Sequence, residues 1–246
     1  MADHDTLCGW GEQGKVAYFF ANADTLIPKR HEQLRFLVDL FVWPPEEPIA
    51  VLDLGAGFGA VTEEVLARYP HATVTCVDGS TEMMRLARER LAKYGERVRL
   101  HFADLAAASW LDNLHAPFHA VVSGIAIHHL TDERKQALYR EVFALLRPGG
   151  LFLNNDAVTT PPLLKERFET IQYREIQEQE RRKRGVVRSV AEIQAEMNAG
   201  FRTAGQHSPL APLKEQLNWL EAAGFQSVDC FWKFLNLAIF GGVKGA

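Results

Sequence analysis

Residues 51–59, Val-Leu-Asp-Leu-Gly-Ala-Gly-Phe-Gly, constrain the fold of this chain more than any other stretch. They follow from a short apolar run, residues 49–54, broken only by Asp53 and shaped like a buried strand. Gly55, Gly57 and Gly59 come next at alternate positions, and Val61, Val65 and Leu66 then open a helical pattern. Strand, glycine turn and helix N-terminus in that order build a cradle of nucleotide size. Glycine lets the backbone bend sharply and lets a ligand approach atoms that a Cβ would screen. The free N–H groups of the first helical turn face the same space. The spacing is Gly-x-Gly-x-Gly and departs from the Gly-x-Gly-x-x-Gly dinucleotide fingerprint. Asp78 ends the next apolar strand, residues 72–77, where a carboxylate accepts hydrogen bonds from both hydroxyls of a ribose in doubly wound nucleotide-binding folds. A tight turn beside a surface aspartate is the plainer alternative.

The rest of the chain reads as strands alternating with helices, which implies an α/β fold with a parallel sheet covered on both faces. Residues 1–29 read as irregular, with Val16, Tyr18, Phe19 and Phe20 folded back over the cleft or the core. A helix over 26–42 buries Leu34, Leu37, Val38 and Phe41 and stops at Trp43-Pro44-Pro45. A helix over 59–69 ends before Pro70. Ser80 or Thr81 caps a helix running to Tyr94 and closed by Gly95. Strands are expected over 97–102, 118–123 and 151–155, with a helix over 132–146 capped by Thr131 or Asp132 and a turn at Pro148-Gly149-Gly150. From 159 to 212 strand signals vanish. Two helices, 163–184 and 190–199, read as a cover inserted above the cleft. A helix over 213–223 and paired strands over 227–232 and 235–240 close the chain.

The stretches 51–59, 74–80, 102–105, 121–130 and 145–155 resemble, in order, the motifs of class I S-adenosylmethionine-dependent methyltransferases. The resemblance covers residues 30–155. It implies a doubly wound, Rossmann-like, seven-stranded and mostly parallel sheet with an α-helical cover inserted after strand 5. The whole of 1–246 would be a single domain, with a cofactor-covering segment at 1–45 and the insertion at 160–212. It also implies S-adenosyl-L-methionine as cofactor, S-adenosyl-L-homocysteine as product, and binding at the carboxyl ends of the first strands. Matching motif to motif, Asp53, Gly55, Ala56 and Gly57 belong to the turn, and Asp78, Gly79, Ser80 and Met83 to the ribose and adenine. Ala103, Asp104 and Leu105 read the adenine edge, with helix capping as the competing role for Asp104. Ser123 and Gly124 lie beside the sulfonium. In the covering segment Tyr18, Arg30 and His31 are candidates for the methionine end.

A sulfonium methyl is electrophilic by itself, so the protein mainly aligns the partners. A hydroxyl acceptor also benefits from a general base, and imidazole titrates in the right range. His128 and His129 follow strand 4, and both are candidates. Adjacent residues do not easily share one cleft, so His128 is favoured as base, with His129 packing or orienting it. A small-molecule acceptor, methylated on oxygen, is the expectation. The three cysteines, Cys8, Cys76 and Cys230, are isolated and make no metal-spaced set or disulfide framework, so no metal is expected. A net charge of −4 gives no global drive toward nucleic acid or anionic membrane. No apolar run reaches membrane-spanning length, and a cytoplasmic protein is the simplest reading. The basic run Arg181-Arg182-Lys183-Arg184 invites RNA binding, but cations complement a helix C-terminus and no aromatic interleaves them.

The cover and residues 224–237 further resemble the carboxy-S-adenosylmethionine synthase branch, which is involved in wobble-uridine modification of tRNA. That branch carries a carboxylate-binding arginine in its second cover helix. The matching position here falls near Met197, within residues 192–198, which hold no Arg. This departure favours the ordinary cofactor. An RNA-directed enzyme, a non-catalytic cofactor-binding protein and a nicotinamide oxidoreductase are the competing readings, and oligomeric state stays open.

Overall fold

A computed structural model describes residue 10 and residues 13–202 and 210–245, apart from the side chains of 183, 184 and 197–202. Its centre is a seven-stranded sheet in the order β3-β2-β1-β4-β5-β7-β6. The strands are β1 (Ala50–Leu54), β2 (Thr73–Asp78), β3 (Val98–Phe102), β4 (Phe118–Gly124), β5 (Leu146–Ala157), β6 (Gln226–Phe234) and β7 (Leu237–Val243). The first five run parallel, and β7 pairs antiparallel with both β5 and β6. The expected seven-stranded α/β sheet is therefore the one observed. Its chain reverses direction of winding at β1, which lies between β2 and β4. In open α/β sheets that switch point opens a crevice at the carboxyl ends of the strands.

Apolar residues on both faces explain why the central strands are buried. Val51, Val74, Cys76, Ala120, Val122 and Leu153 point to one side. There they meet Leu37 and Val38 of α2 (Arg30–Asp39), Val65 of α3 (Ala60–Arg68) and Leu91 of α4 (Thr81–Leu91). Leu52, Leu54, Val77, Val121 and Phe152 point to the other side. Leu138, Tyr139 and Val142 of α5 (Asp132–Leu145) and Leu220 of α8 (Leu213–Ala222) cover them. Two-sided burial of this kind is what near-continuous apolar strands require.

Three local expectations need correction. Residues 13–26 form α1 (Gln13–Leu26) and are not irregular. Val16, Phe19 and Ala23 recur at helical spacing and pack with Phe58 and Met83, so burial of one stripe stabilises the helix. The next helix starts at Arg30 instead of 26, because Lys29 holds a left-handed backbone with φ 58° and interrupts the helix. The turn at Pro148-Gly149-Gly150 lies inside β5, as an irregularity between the pairs Phe118–Leu146 and Ala120–Leu151. Between β5 and α8 lie α6 (Lys165–Arg184) and α7 (Val190–Arg202), in the stretch read as a cover. Cys76 is buried, Cys230 is half-buried and both are free, while Cys8 lies outside the described residues. Among the described residues no helix is long and apolar enough to cross a membrane.

Candidate functional site

A cavity of about 440 Å³ runs across the carboxyl ends of β1 to β5. Its floor is the glycine turn. Gly55 has φ +61°, and a Cβ there would stand 2.2 Å from the Cβ of Ala126 on the neighbouring loop. Only glycine satisfies both the backbone and the contact. Asp78 stands at the end of β2 with its carboxylate clamped by backbone. Gly57 N–H donates to Oδ2 at 2.8 Å and Ser80 N–H donates to Oδ1 at 2.8 Å. Each oxygen keeps a second lone pair for a ligand. Burial raises the pKa of Asp78, and the two amides only partly oppose it. Ser80 caps α4, its Oγ accepting from Met83 N–H at 3.2 Å, and the Met83 sulfur lies where a Cβ on Gly57 would meet it at 3.8 Å.

Asp104, after β3, also lines the cavity, while its Oδ1 accepts from Ala106 N–H at 2.8 Å in a local turn. The local turn thus leaves Asp104 on the cavity wall. Arg134 of α5 fixes this loop, donating to Leu105 C=O at 2.6 Å and to Glu141 through two bonds of 2.9 and 2.6 Å. Burial pushes the Glu141 carboxyl up, but the bonds from Arg134 and Trp110 overcome it and lower its pKa.

The loop after β4 forms the far wall with Gly124, Ile125 and Ala126. Ile125 has φ 57°, an unusual conformation for a β-branched residue and one that concentrates at functional sites. Its N–H is held by Asn155 C=O at 2.8 Å. The two histidines then separate. His129 lines the cavity, and its Nε2 accepts from the Trp10 indole N–H at 3.1 Å. His128 turns toward Asp156 at the end of β5. Its Nδ1 lies 2.6 Å from Asp156 Oδ1, and its backbone N–H donates to Oδ2 at 2.8 Å. The rings of the pair lie 3.9 Å apart.

Most of the expected site residues meet along this cavity: Gly55, Ala56 and Gly57, then Asp78, Gly79, Ser80 and Met83, then Asp104, Leu105, Gly124 and Arg30. Arg30 lies over the Phe58 ring at 5.2 Å and donates to Asp24 at 2.5 Å. Burial lowers its pKa. Others stand elsewhere. Asp53 is fully buried beneath the turn and accepts from Thr62 N–H at 3.2 Å and Thr62 Oγ1 at 2.6 Å. Burial raises its pKa to about 7. Ser123 is buried and donates to Leu54 C=O at 2.8 Å, within the sheet. Ala103 does not line the cavity. Tyr18 faces a second, smaller cavity near α6 and α7 and donates to Glu196. His31 is exposed and pairs with Asp24 at 3.3 Å. Sequence reading missed Trp10, Gln33, Arg134 and Asn155, all of which line the main cavity. Nothing local distinguishes them; only their distant neighbours bring them there.

Arg181 and Arg182 of the basic run both bond Glu178, at 2.7 Å each. Among the described residues no cluster of three or more acidic, histidine or cysteine side chains could hold a metal ion.

Residues 51–150 match the family model described as "Methyltransferase domain". A demethylmenaquinone methyltransferase of Leptospira interrogans is 34% identical over 106 residues, 43% of this chain and 42% of that protein. The chain thus spans less than half the length of that relative. A carboxy-S-adenosyl-L-methionine synthase of Chromohalobacter salexigens is 26% identical over 200 residues, 80% of this chain and 68% of that protein. Human N-acetylserotonin methyltransferase, solved in complex with SAM, superposes with a TM-score of 0.65 at 16% identity, covering all of this chain and 60% of that one. The chain has the class I methyltransferase fold.

Proposed function

We propose that this chain is an S-adenosylmethionine-dependent methyltransferase that acts on the oxygen of a small-molecule acceptor. The observation that carries the reading is Asp78. Its clamped carboxylate shares one cavity with the glycine turn, Asp104 and a histidine. The residues fit the cofactor: the cavity of about 440 Å³ lies in the usual range of ligand pockets, about 300–1,000 Å³, and the Gly55 cradle leaves no room for a side chain. When bound, S-adenosylmethionine supplies an electrophilic methyl group on a sulfonium. The chain's residues do the rest. Asp78 accepts from the ribose hydroxyls, Asp104 and the backbone at Leu105 read the adenine edge, and Met83 packs on its ring. Arg30, with donors left over from Asp24, takes the methionine carboxylate. Alignment of this kind contributes about 7–11 kcal/mol in favourable cases.

His129 is the general base in this reading. The lone pair that Trp10 N–H now fills is the one an acceptor hydroxyl would use. Its Nε2 would take the proton that the acceptor hydroxyl gives up on methylation. His128, held on Asp156, positions its neighbour. The test is methyl transfer from labelled cofactor, with affinity for S-adenosylhomocysteine measured by calorimetry. Asp78→Ala is expected to weaken S-adenosylhomocysteine binding by about 100-fold or more, and retained affinity would overturn the site. His129→Ala is expected to slow turnover about 100-fold with that affinity unchanged, in line with a typical general-base contribution. A larger loss in His128→Ala would reverse the two roles.

The Chromohalobacter match, spread over most of both chains, favours a second reading, a carboxy-S-adenosylmethionine synthase-like enzyme in tRNA modification. Residues 192–198 hold no Arg. Met197 sits on α7 with its side chain outside the described residues. The mass of the ligand that co-purifies separates the two. Binding without turnover would instead support a non-catalytic cofactor-binding protein.

A further inference from the structure

Trp10 enters the scheme above only as a stand-in for the acceptor hydroxyl, yet it bridges the mouth of the crevice. Its C=O accepts from Ser80 Oγ at 2.6 Å, and its indole N–H donates to His129 Nε2 at 3.1 Å. Ser80 follows β2 and His129 follows β4, and β1 lies between those strands in the sheet. Residue 10 therefore spans two strand spacings, about 10 Å, above the turn that β1 feeds. Its two ends are fastened differently. The backbone end is held by the N-cap of α4, whose hydroxyl also takes Met83 N–H. The ring end is half-buried. Beyond His129 it meets the Phe19 ring edge-on at 5.1 Å and the Lys15 ammonium at 4.7 Å, both on α1. The indole N–H is a single donor. A ligand O–H can take its place at Nε2 donor for donor, so the exchange costs little hydrogen-bond energy.

The position of that bond decides what it does. In the proposed scheme the cofactor lies on the glycine turn beneath residue 10, and the acceptor oxygen stands between the transferred methyl and His129 Nε2. The indole N–H sits in that same space. Indole and acceptor exclude one another, so the ring must rotate away before an acceptor reaches the base. Until then the indole occupies the lone pair and keeps water from it, as a cover over transfer chemistry should.

Resting on the methyltransferase reading, we infer that Trp10 is an autoinhibitory gate. Its indole N–H closes His129 in the unliganded chain, and the acceptor enters by displacing the ring while the backbone of residue 10 stays on Ser80. Trp10→Phe keeps a ring against Phe19 and removes the donor. The first test uses the full chain without ligand. Acylation of His129 by diethyl pyrocarbonate, read by mass spectrometry of fragmented peptides, is expected to run at least fivefold faster in Trp10→Phe. His128 and the exposed His31 should stay within twofold of the parent. An unchanged rate at His129 would overturn the inference. An equal rise at His128 would do the same, since the substitution would then only have loosened the loop. The second test uses the chain saturated with S-adenosylhomocysteine and phenol as the probe. Phenol is expected to bind about fivefold tighter to Trp10→Phe, because it no longer breaks the indole bond, whose net worth of about 1 kcal/mol corresponds to that factor. In the parent, phenol should also shift the Trp10 indole N–H resonance, a peak identified by its loss from the variant. A resonance that stays in place while phenol binds, or phenol binding no tighter to the variant than to the parent, would overturn the gate. Failure of the unmutated chain to bind S-adenosylhomocysteine would instead defeat the methyltransferase reading, whereas the protection of His129 is read without any cofactor.

Discussion

Asp53 sits two residues before the glycine turn with no exposed surface, and its carboxyl is raised from an ordinary 3.8 to about 7 by burial. Thr62 stabilises one oxygen, and among the described residues none donates to the other. In the unfolded chain the group ionises near 4, but in the folded one it holds its proton to about 7. The folded state therefore binds more protons across that window, and stability falls as pH rises through it. Asp53→Asn removes the titration. Its stability relative to the parent is expected to grow between pH 4 and 7 and to level off above, by on the order of a few kcal/mol. Urea melts at a series of pH values measure this, and parallel curves for the two proteins would refute it. Asp78 is raised in the same direction by its burial, so the variant keeps part of the parent's slope. Gly55 makes a sharper case. Gly55→Ala combines a φ of +61° with a Cβ 2.2 Å from another, and neither can relax without moving the loop after β4. It should cost more than about 1 kcal/mol of stability and abolish S-adenosylhomocysteine binding in calorimetry.

At the scale of elements, helix ends carry the site. Ser80 caps α4, and the same hydroxyl donates to Trp10 C=O at 2.6 Å, so one side chain fastens both the helix and residue 10. Ser80→Ala should lower stability by about 1 kcal/mol, the usual value of such a cap, and should raise hydrogen exchange at the start of α4. A thermal melt indistinguishable from the parent would remove the cap from the account. Thr131 caps α5 likewise, accepting from Arg134 N–H at 3.2 Å, and so steadies the residue that pins the loop after β3. The cover is tied by a different device. Arg188, between α6 and α7, joins Glu180 of α6, at 2.9 Å from Nε, to Glu196 of α7, and Tyr18 of α1 donates to Glu196. Glu180 is 5% exposed, so Arg188→Met would leave a buried carboxylate without its partner. Amide exchange in α1, α6 and α7 is expected to rise at least tenfold in that variant, with protection of β1, β4 and β5 unchanged. Equal loosening of the sheet would mean that the cover and the core unfold together.

Across the whole molecule, strand order is what makes a site out of separate motifs. Residues from the ends of five strands, from α2 and from position 10 share one cavity although they span the chain from Trp10 to Asn155. The central strands were legible because each is apolar on both faces, and the caps at Ser80 and Thr131 were legible because capping chemistry is local. Helix α1 was not, since its buried stripe is short and is completed only by Phe58 and Met83 from elsewhere. The sequence favours His128 for the cleft, whereas His129 is the one that lines the cavity. One residue of rotation separates facing the cavity from facing Asp156, and that rotation depends on the strained backbone at Ile125 and on the end of β5. Trp10, Gln33 and Asn155 had no local signal at all. Sequence alone determined the alternation of strand and helix, the glycine turn and the acidic strand end, because those follow from periodicity, sterics and chemistry within a few residues. The tertiary structure decided which side chains share the cavity and which lie sealed beneath it, because adjacency between distant segments arises only when the sheet is assembled and its faces are packed.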